Sequence, residues 1–300
     1  MLRAELGQAL ARLGAAGVEC IVLKGFPLGH RIGVPLVDRP QSDNDVLVRR
    51  RSVERAVAVL SELGYRAAPL PELRTLLDSD FQVVLHRSVG GVRVSLDLHW
   101  SPFFPTYHPV SEAVVWSHTE VVRFDRTETV VLDRLLTLLH LAAHYEQHAF
   151  CERRILDDLA RAWNQWGPDL DQVDLRSFAA EIGLRHAFEF ALSTAEALGL
   201  LSYPAPRWGS GRVKRLAAVL PPSELSSSCR PGDRRRTLAS WLLLDPRRLP
   251  GLFARELFPH PQRLAAMTGQ PMSPRLYARY ATRPVCWVAR SLVARGKARP

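Results

Sequence analysis

The segment Arg39-Pro-Gln-Ser-Asp-Asn-Asp-Val-Leu-Val48 decides the fold of this chain. From Asp43 it has the length and apolar content of a strand, and a strand's period of two sends Asp43 and Asp45 to one face and Asn44 to the other. Upstream, residues 2–13 place apolar side chains at helical spacing, and Glu19-Cys-Ile-Val-Leu23 is a short apolar run ending at Lys24-Gly25, a strand entering a turn. Downstream, Ser52 caps a helical pattern that runs to Leu63 and is closed by Gly64. A short strand near Tyr65, a helix over 71–77 and two strands, 81–86 and 92–100, follow; Gly90-Gly91 between the two strands is a hairpin signal. Residues 1–125 therefore read as a sheet domain of α/β or α+β type.

Beyond Thr127 the apolar spacing becomes helical, with segments expected at 129–148, 153–166, 175–182 and 185–198. Residues 202–232 concentrate proline, glycine and serine, which predicts loops around a short helix at 213–220. Helical segments are expected again at 235–244, 247–258 and 274–295, and there is no internal repeat. The expectation is an α+β protein in two parts: a sheet domain over 1–125 and a mostly α-helical domain over 126–300.

A chain of 300 residues with 47% hydrophobic and 23% charged residues has globular composition, which excludes wholesale disorder. No stretch approaches the roughly 18 to 20 apolar residues of a membrane-spanning helix, and the opening residues are helical in pattern with Glu5 among them rather than a signal core. A soluble, cytoplasmic protein is the expectation. Cys20, Cys151, Cys229 and Cys286 are far apart and form no CxxC pair, which favours buried free thiols. The net charge of +10 is uneven: residues 201–300 hold 19 Lys and Arg against 4 Asp and Glu. Such a block suits an anionic partner or a solvated face; nucleic acid is a possible partner but not the favoured one.

Among residues that carry chemistry, no GxxxxGK[ST], complete GxGxxG or GxSxG motif occurs. What stands out is the Asp43–Asp45 pair together with Asp97, which lies mid-strand in Val94-Ser-Leu-Asp-Leu-His-Trp100. Three carboxylates converging from neighbouring strands repel one another and call for a cation, and hard oxygen donors favour Mg²⁺ or Mn²⁺. The alternative is that Asp43 and Asp45 cap a turn while Asp97 pairs with an arginine.

Val22-Leu-Lys-Gly25, Pro27-Leu28, the Arg39–Val48 segment, Leu96-Asp-Leu-His-Trp100, Leu138-Leu-His-Leu-Ala-Ala-His-Tyr-Glu-Gln-His148 and Leu156-Asp-Asp-Leu-Ala160 occur in an order that resembles a nucleotidyltransferase family of the polymerase-β-like superfamily. The resemblance covers about two thirds of the chain, and it implies an N-terminal mixed sheet followed by helices. It further implies that Asp43 and Asp45 bind catalytic metals and that Asp97 is the third carboxylate, the one that deprotonates an acceptor hydroxyl. Lys24 and Gly25 take the place of the superfamily's Gly-Ser turn at the nucleotide phosphates, where a lysine acts as a point cation. Ser42 bonds a phosphate or caps the strand, and Arg39 contacts a phosphate or pairs with a carboxylate. Asn44 replaces the apolar residue more usual between the aspartates, an expected cost in packing.

The activity implied is transfer of a nucleoside monophosphate from an NTP, ATP first among them, to a hydroxyl or phosphate acceptor by a two-metal mechanism, the acceptor being a peptide or glycan precursor. The altered turn keeps a second reading open, a noncatalytic module of the same fold that binds a nucleotide or peptide. His140, His144 and His148 recur every four residues. HxxxH is a zinc spacing, but the glutamate of HExxH is missing. Either His99, His144, His148 and Asp158 face the cleft and touch nucleotide or acceptor, or the histidines are hydrogen-bonded core residues.

Overall fold

The computed structural model describes residues 1–35, 41–67, 80–124, 127–225, 239–257 and 273–281, together with Leu73, Leu76, Leu77, Arg236 and Leu264. Arg39, most of the helix expected at 71–77 and the chain beyond 281 lie outside these residues. The architecture is α+β, as expected. Seven strands form one mixed sheet: β1 (Cys20–Val22), β2 (Asp43–Val48), β3 (Arg66–Ala67), β4 (Gln82–Val89), β5 (Val92–His99), β6 (Thr119–Phe124) and β7 (Thr127–Leu132). Their order is β3-β4-β5-β2-β1-β7-β6, with β2/β5 and β1/β7 parallel and the other pairs antiparallel.

The period of two in β2 sends Val46 and Val48 to one face, where they pack with Leu96 and Leu98 of β5 against α1 (Leu2–Ala15) and α3 (Val53–Glu62). Leu6, Ala9 and Leu13 of α1, and Val53, Ala56 and Leu60 of α3, are the apolar stripes these helices bury. Between β4 and β5, Gly90 and Gly91 both adopt positive φ (57° and 80°), the backbone that a two-residue hairpin turn requires.

The other face of the sheet, with Ile21, Leu23 and Leu47, meets the helical part. Short helices α2 (Phe26–Arg31) and α4 (Glu112–Ser117) flank it. The long helices α5 (Arg134–Gln147), α6 (Arg153–Trp166), α7 (Gln172–Glu181) and α8 (Arg185–Ala197) follow, then α9 (Gly211–Val219), α10 (Pro222–Leu225), α11 (Leu249–Leu257) and α12 (Pro274–Ala281). Asp133 caps α5, accepting the Leu136 N–H at 2.7 Å. Helix α5 is buried nearly all round, as befits the centre of the larger core. It ends at Ala149 and Phe150, both left-handed (φ 51° and 60°), a backbone held in place because Phe150 packs edge-on against Tyr145 and Phe190.

Arg31, at the end of α2, ties several elements together. Its Nη1 donates to Leu132 O (3.0 Å) at the end of β7 and to Thr137 Oγ1 (3.2 Å) in α5, its Nη2 pairs with Glu120 of β6, and its guanidinium lies 4.7 Å above the Trp166 ring of α6.

Two expectations need correction. Residues 129–132 belong to β7 rather than to a helix: their β-branched run pairs with β6 and joins β1, and α5 begins only after the Asp133 cap. Cys151 is disulfide-bonded rather than a free thiol, whereas Cys20 is free and burial pushes its thiol up to about 12. Among the described residues, no helix is long and apolar enough to cross a membrane.

Candidate active site

The acidic residues gather because β2 and β5 lie side by side and parallel. Their register sets Asp45 opposite Asp97 and Leu47 opposite His99, so alternation lines up Asp43, Asp45, Asp97 and His99 on the face that looks towards α5. Asp45, Asp97 and His99 each offer a ligand atom within 4.8 Å of the others, the one such group of three or more among the described residues. Asp43 begins the strand, half-buried, and takes a hydrogen bond from Ser42 Oγ at 3.2 Å. It is not a member of that trio, although its charge reaches both Asp97 and His148.

Asp45 is only 3% exposed, and its Oδ1 is held twice, by Lys24 Nζ and by His99 Nε2, each at 3.1 Å. Burial pushes this carboxyl upward, but the Lys24 ammonium and the His99 hydrogen bond outweigh it and hold the carboxyl well below the usual range. Asp97 behaves in the opposite way. Burial, reinforced by repulsion from Asp45 and Asp43 and only partly offset by His99 and Lys24, pushes it up to about 6. Gln82 Nε2 donates to its Oδ2 at 2.9 Å.

Two neighbouring carboxylates of such unlike proton affinity, one crowded by negative charge, are relieved by a cation. Two carboxylates and an imidazole nitrogen are a donor set that Mg²⁺ and, more readily, Mn²⁺ accept. The residues present therefore fit a divalent ion.

Lys24, the residue after Leu23, leans across the site, its Nζ also 3.0 Å from His144 Nε2 on α5. Gly25 follows with φ 80° and ψ −139°, a backbone nearly restricted to glycine, and starts α2. Gln41 lies over it: a Cβ at Gly25 would fall 2.6 Å from Gln41 Nε2, which donates to Asp43 O and to Asn44 Oδ1 (2.9 Å). Asn44, on the opposite face, donates in turn to Leu2 O at 3.1 Å. Its buried amide is thus satisfied on both sides and fastens α1 to the strand, where a packing defect was expected.

The histidines of α5 divide. His140 is buried, packs edge-on against Phe103, and is pushed down to about 3 by burial and by Lys24; it is a core residue. His144 is held well below its usual value, first by burial and then by Lys24, and stacks on His140. His148 is exposed at the end of the stripe, edge-on to His144. Asp158 is buried on α6 and is not a member of the metal-competent trio. Trp100 belongs to the core under α1 and α3, its Nε1 donating to Asp80 O at 3.0 Å.

Of the expected site residues, the fold brings together Lys24, Asp45, Asp97, His99 and His144, with Gly25, Ser42, Asp43 and His148 around them. Gln41 and Gln82 carry no sequence signal, since single amides in loops and strand ends follow no pattern. The place of His99 beside the carboxylates was readable from its spacing of two from Asp97, which puts both on one face.

Two solved structures of the antibiotic-resistance factor ANT(2'')-Ia are similar to the chain. The solution structure has 13% identity and a TM-score of 0.43, covering 66% of this chain and 98% of that one. The crystal structure in complex with adenylyl-2''-tobramycin has 12% identity and a TM-score of 0.41, covering 62% and 95%. No curated protein sequence matches. A family model described as an uncharacterised nucleotidyltransferase matches residues 1–199, and the chain belongs to that nucleotidyltransferase family.

Proposed function

We propose that the protein transfers a nucleoside monophosphate from an NTP, with ATP as the first candidate, to a hydroxyl or phosphate acceptor and releases pyrophosphate. The observation that carries this reading is the register of β2 on β5, which sets Asp45 beside Asp97 with His99 within ligand reach of both. Asp45, Asp97 and His99, with Asp43 at the start of β2, would hold Mg²⁺ or Mn²⁺. Bound there, divalent ions supply the charge that activates the attacking oxygen and stabilises the leaving pyrophosphate, in pairs about 4 Å apart in two-metal sites.

Asp97 is the base that takes the acceptor's proton. Burial and the neighbouring carboxylates raise its proton affinity, and a divalent ion held beside it would bring that affinity down again. Lys24 and Gly25, with Ser42 and Arg39, receive the phosphates, Lys24 as a point cation and the Gly25 turn by letting the backbone approach closely. His148 and the basic C-terminal part would dock the acceptor, which we take to be a peptide or glycan precursor.

The test is thermal melting of the wild type and of the Asp43→Asn, Asp45→Asn double variant with each NTP, with and without Mn²⁺. Ligand at about 100 times its Kd stabilises by about 2.7 kcal/mol. A metal-dependent rise for one NTP in the wild type, absent from the variant, supports the site; equal rises in both proteins refute it. Pyrophosphate release with that NTP across an acceptor panel should then fall at least about a hundredfold in Asp97→Asn.

One observation favours the second reading, a noncatalytic nucleotide- or peptide-binding module: the Lys24 ammonium already rests on Asp45. Nucleotide binding with no pyrophosphate release from any acceptor would select it.

A further inference from the structure

The contact between Lys24 and Asp45 has a specific geometry. Both Lys24 Nζ and His99 Nε2 lie 3.1 Å from the same oxygen, Asp45 Oδ1. A carboxylate oxygen offers about two acceptor directions, so this atom is filled by protein donors alone. His144 gives the ammonium its second hold, 3.0 Å from Nζ, through a ring nitrogen that accepts without charge. A neutral acceptor steadies the cation but does not pin it as a second carboxylate would. The His144 ring is itself docked, stacked on His140 and edge-on to His148.

The backbone on either side is fixed: Leu23 N–H donates to Asp45 O at 3.2 Å, and α2 starts at Gly25. The Lys24 side chain is nonetheless 17% exposed, on a four-carbon stem. It has both a reason to sit on Asp45 and room to leave.

We propose that Lys24 is an exchangeable internal cation, filling Asp45 until a nucleotide arrives and then moving its ammonium to the polyphosphate, so that divalent ion and nucleotide load together. The proposal rests on the assignment of Asp45 as a metal-holding residue. It follows from charge. An ammonium and a divalent ion on one carboxylate repel at close range whichever of its oxygens the ion takes, so a divalent ion alone competes with Lys24 for Asp45. The polyanionic nucleotide draws the ammonium off and frees Oδ1. Each ligand therefore raises the affinity for the other by the same factor, as linkage requires. The same step reconciles the Lys24–Asp45 contact with catalysis, because a resting lysine on the carboxylate need not mean a dead site.

The experiment is calorimetric titration of Mn²⁺ into wild type, Lys24→Gln and Lys24→Met, each with and without the non-hydrolysable α,β-methylene analogue of ATP. In the wild type, Mn²⁺ alone should bind weakly and tighten roughly tenfold or more with the analogue, within the usual range of coupling between sites. In the Lys24 variants, Mn²⁺ alone should bind roughly tenfold tighter than in the wild type, the analogue more weakly, and the coupling should shrink to what direct contact between Mn²⁺ and the analogue's phosphates supplies. Mn²⁺ binding in the wild type that is indifferent to the analogue overturns the proposal whether or not the variants fold. So does a Lys24→Gln protein, folded by its melting transition, whose affinity for Mn²⁺ alone is unchanged or reduced. If the wild type binds neither Mn²⁺ nor analogue, the functional reading itself fails and the proposal with it; if both bind but independently, only the role of Lys24 falls.

Discussion

Replacing Asp97 by asparagine should make the metal-free protein more stable at neutral pH. The folded state holds this carboxyl at about 6 against 3.8 for the free group, and at about 1.4 kcal/mol per pH unit the difference is about 3 kcal/mol. The sign follows from linkage. The unfolded chain gives up this proton more readily than the folded one, so the wild type loses stability as pH rises from about 4 to about 6 and then levels off. Asparagine has no proton to lose, is nearly the same shape, and keeps an Oδ1 for the Gln82 Nε2 hydrogen. For a chain of this length about 3 kcal/mol corresponds to about 5 °C in Tm. Melting curves in chelator from pH 4 to 8 should coincide for the two proteins near pH 4 and diverge through pH 6, with the variant higher. Saturating Mn²⁺ should invert the order, because only the wild type retains the carboxylate. A variant no more stable at pH 7.5, or one whose gain is the same at pH 4, would refute the argument that Asp97 is held against its own charge.

Three further outcomes follow from other parts of the structure. Gly25→Ala should cost about 1–3 kcal/mol in urea unfolding, since a Cβ there meets Gln41 and the backbone is one alanine rarely adopts; a neutral substitution would show that the turn relaxes freely. His108→Leu should cost about 3–5 kcal/mol, because it strips the buried Glu146 of its 2.7 Å partner, and the double change with Glu146→Leu should recover most of that loss in the same assay. If the basic block in residues 201–300 docks an anionic acceptor, acceptor affinity should fall steadily with added salt, and a salt-independent affinity would remove that role.

Much of the site was legible locally. The strand from Asp43, the shared face of Asp43 and Asp45, and the Gly90-Gly91 hairpin all follow from periods of two and from turn chemistry, which act over a few residues. What the chain does not display is adjacency. Asp45 and Asp97 face each other only because β2 and β5 are neighbours, and Lys24 reaches His144 across 120 positions. The β6–β7 hairpin was hidden for a related reason. Thr127–Leu132 is a short stretch rich in β-branched residues directly before a helix, and periodicity over six residues cannot separate the end of one element from the start of the next. Its strand character comes from partners, β6 on one side and β1 on the other.

Arg31 gives the active-site turn a mechanical character. One guanidinium fastens the far end of α2 to β6, β7, α5 and α6, only seven residues from Lys24. The segment 24–31 is therefore anchored at both ends, by the Leu23 N–H on Asp45 O and by Arg31. If Lys24 receives the phosphates as proposed, its ammonium can change partners by side-chain rotation alone, and rotamer changes take picoseconds to nanoseconds where loop closures take far longer. Ligand capture in rapid-mixing experiments should accordingly scale linearly with nucleotide concentration, without the plateau that a slow gating step imposes.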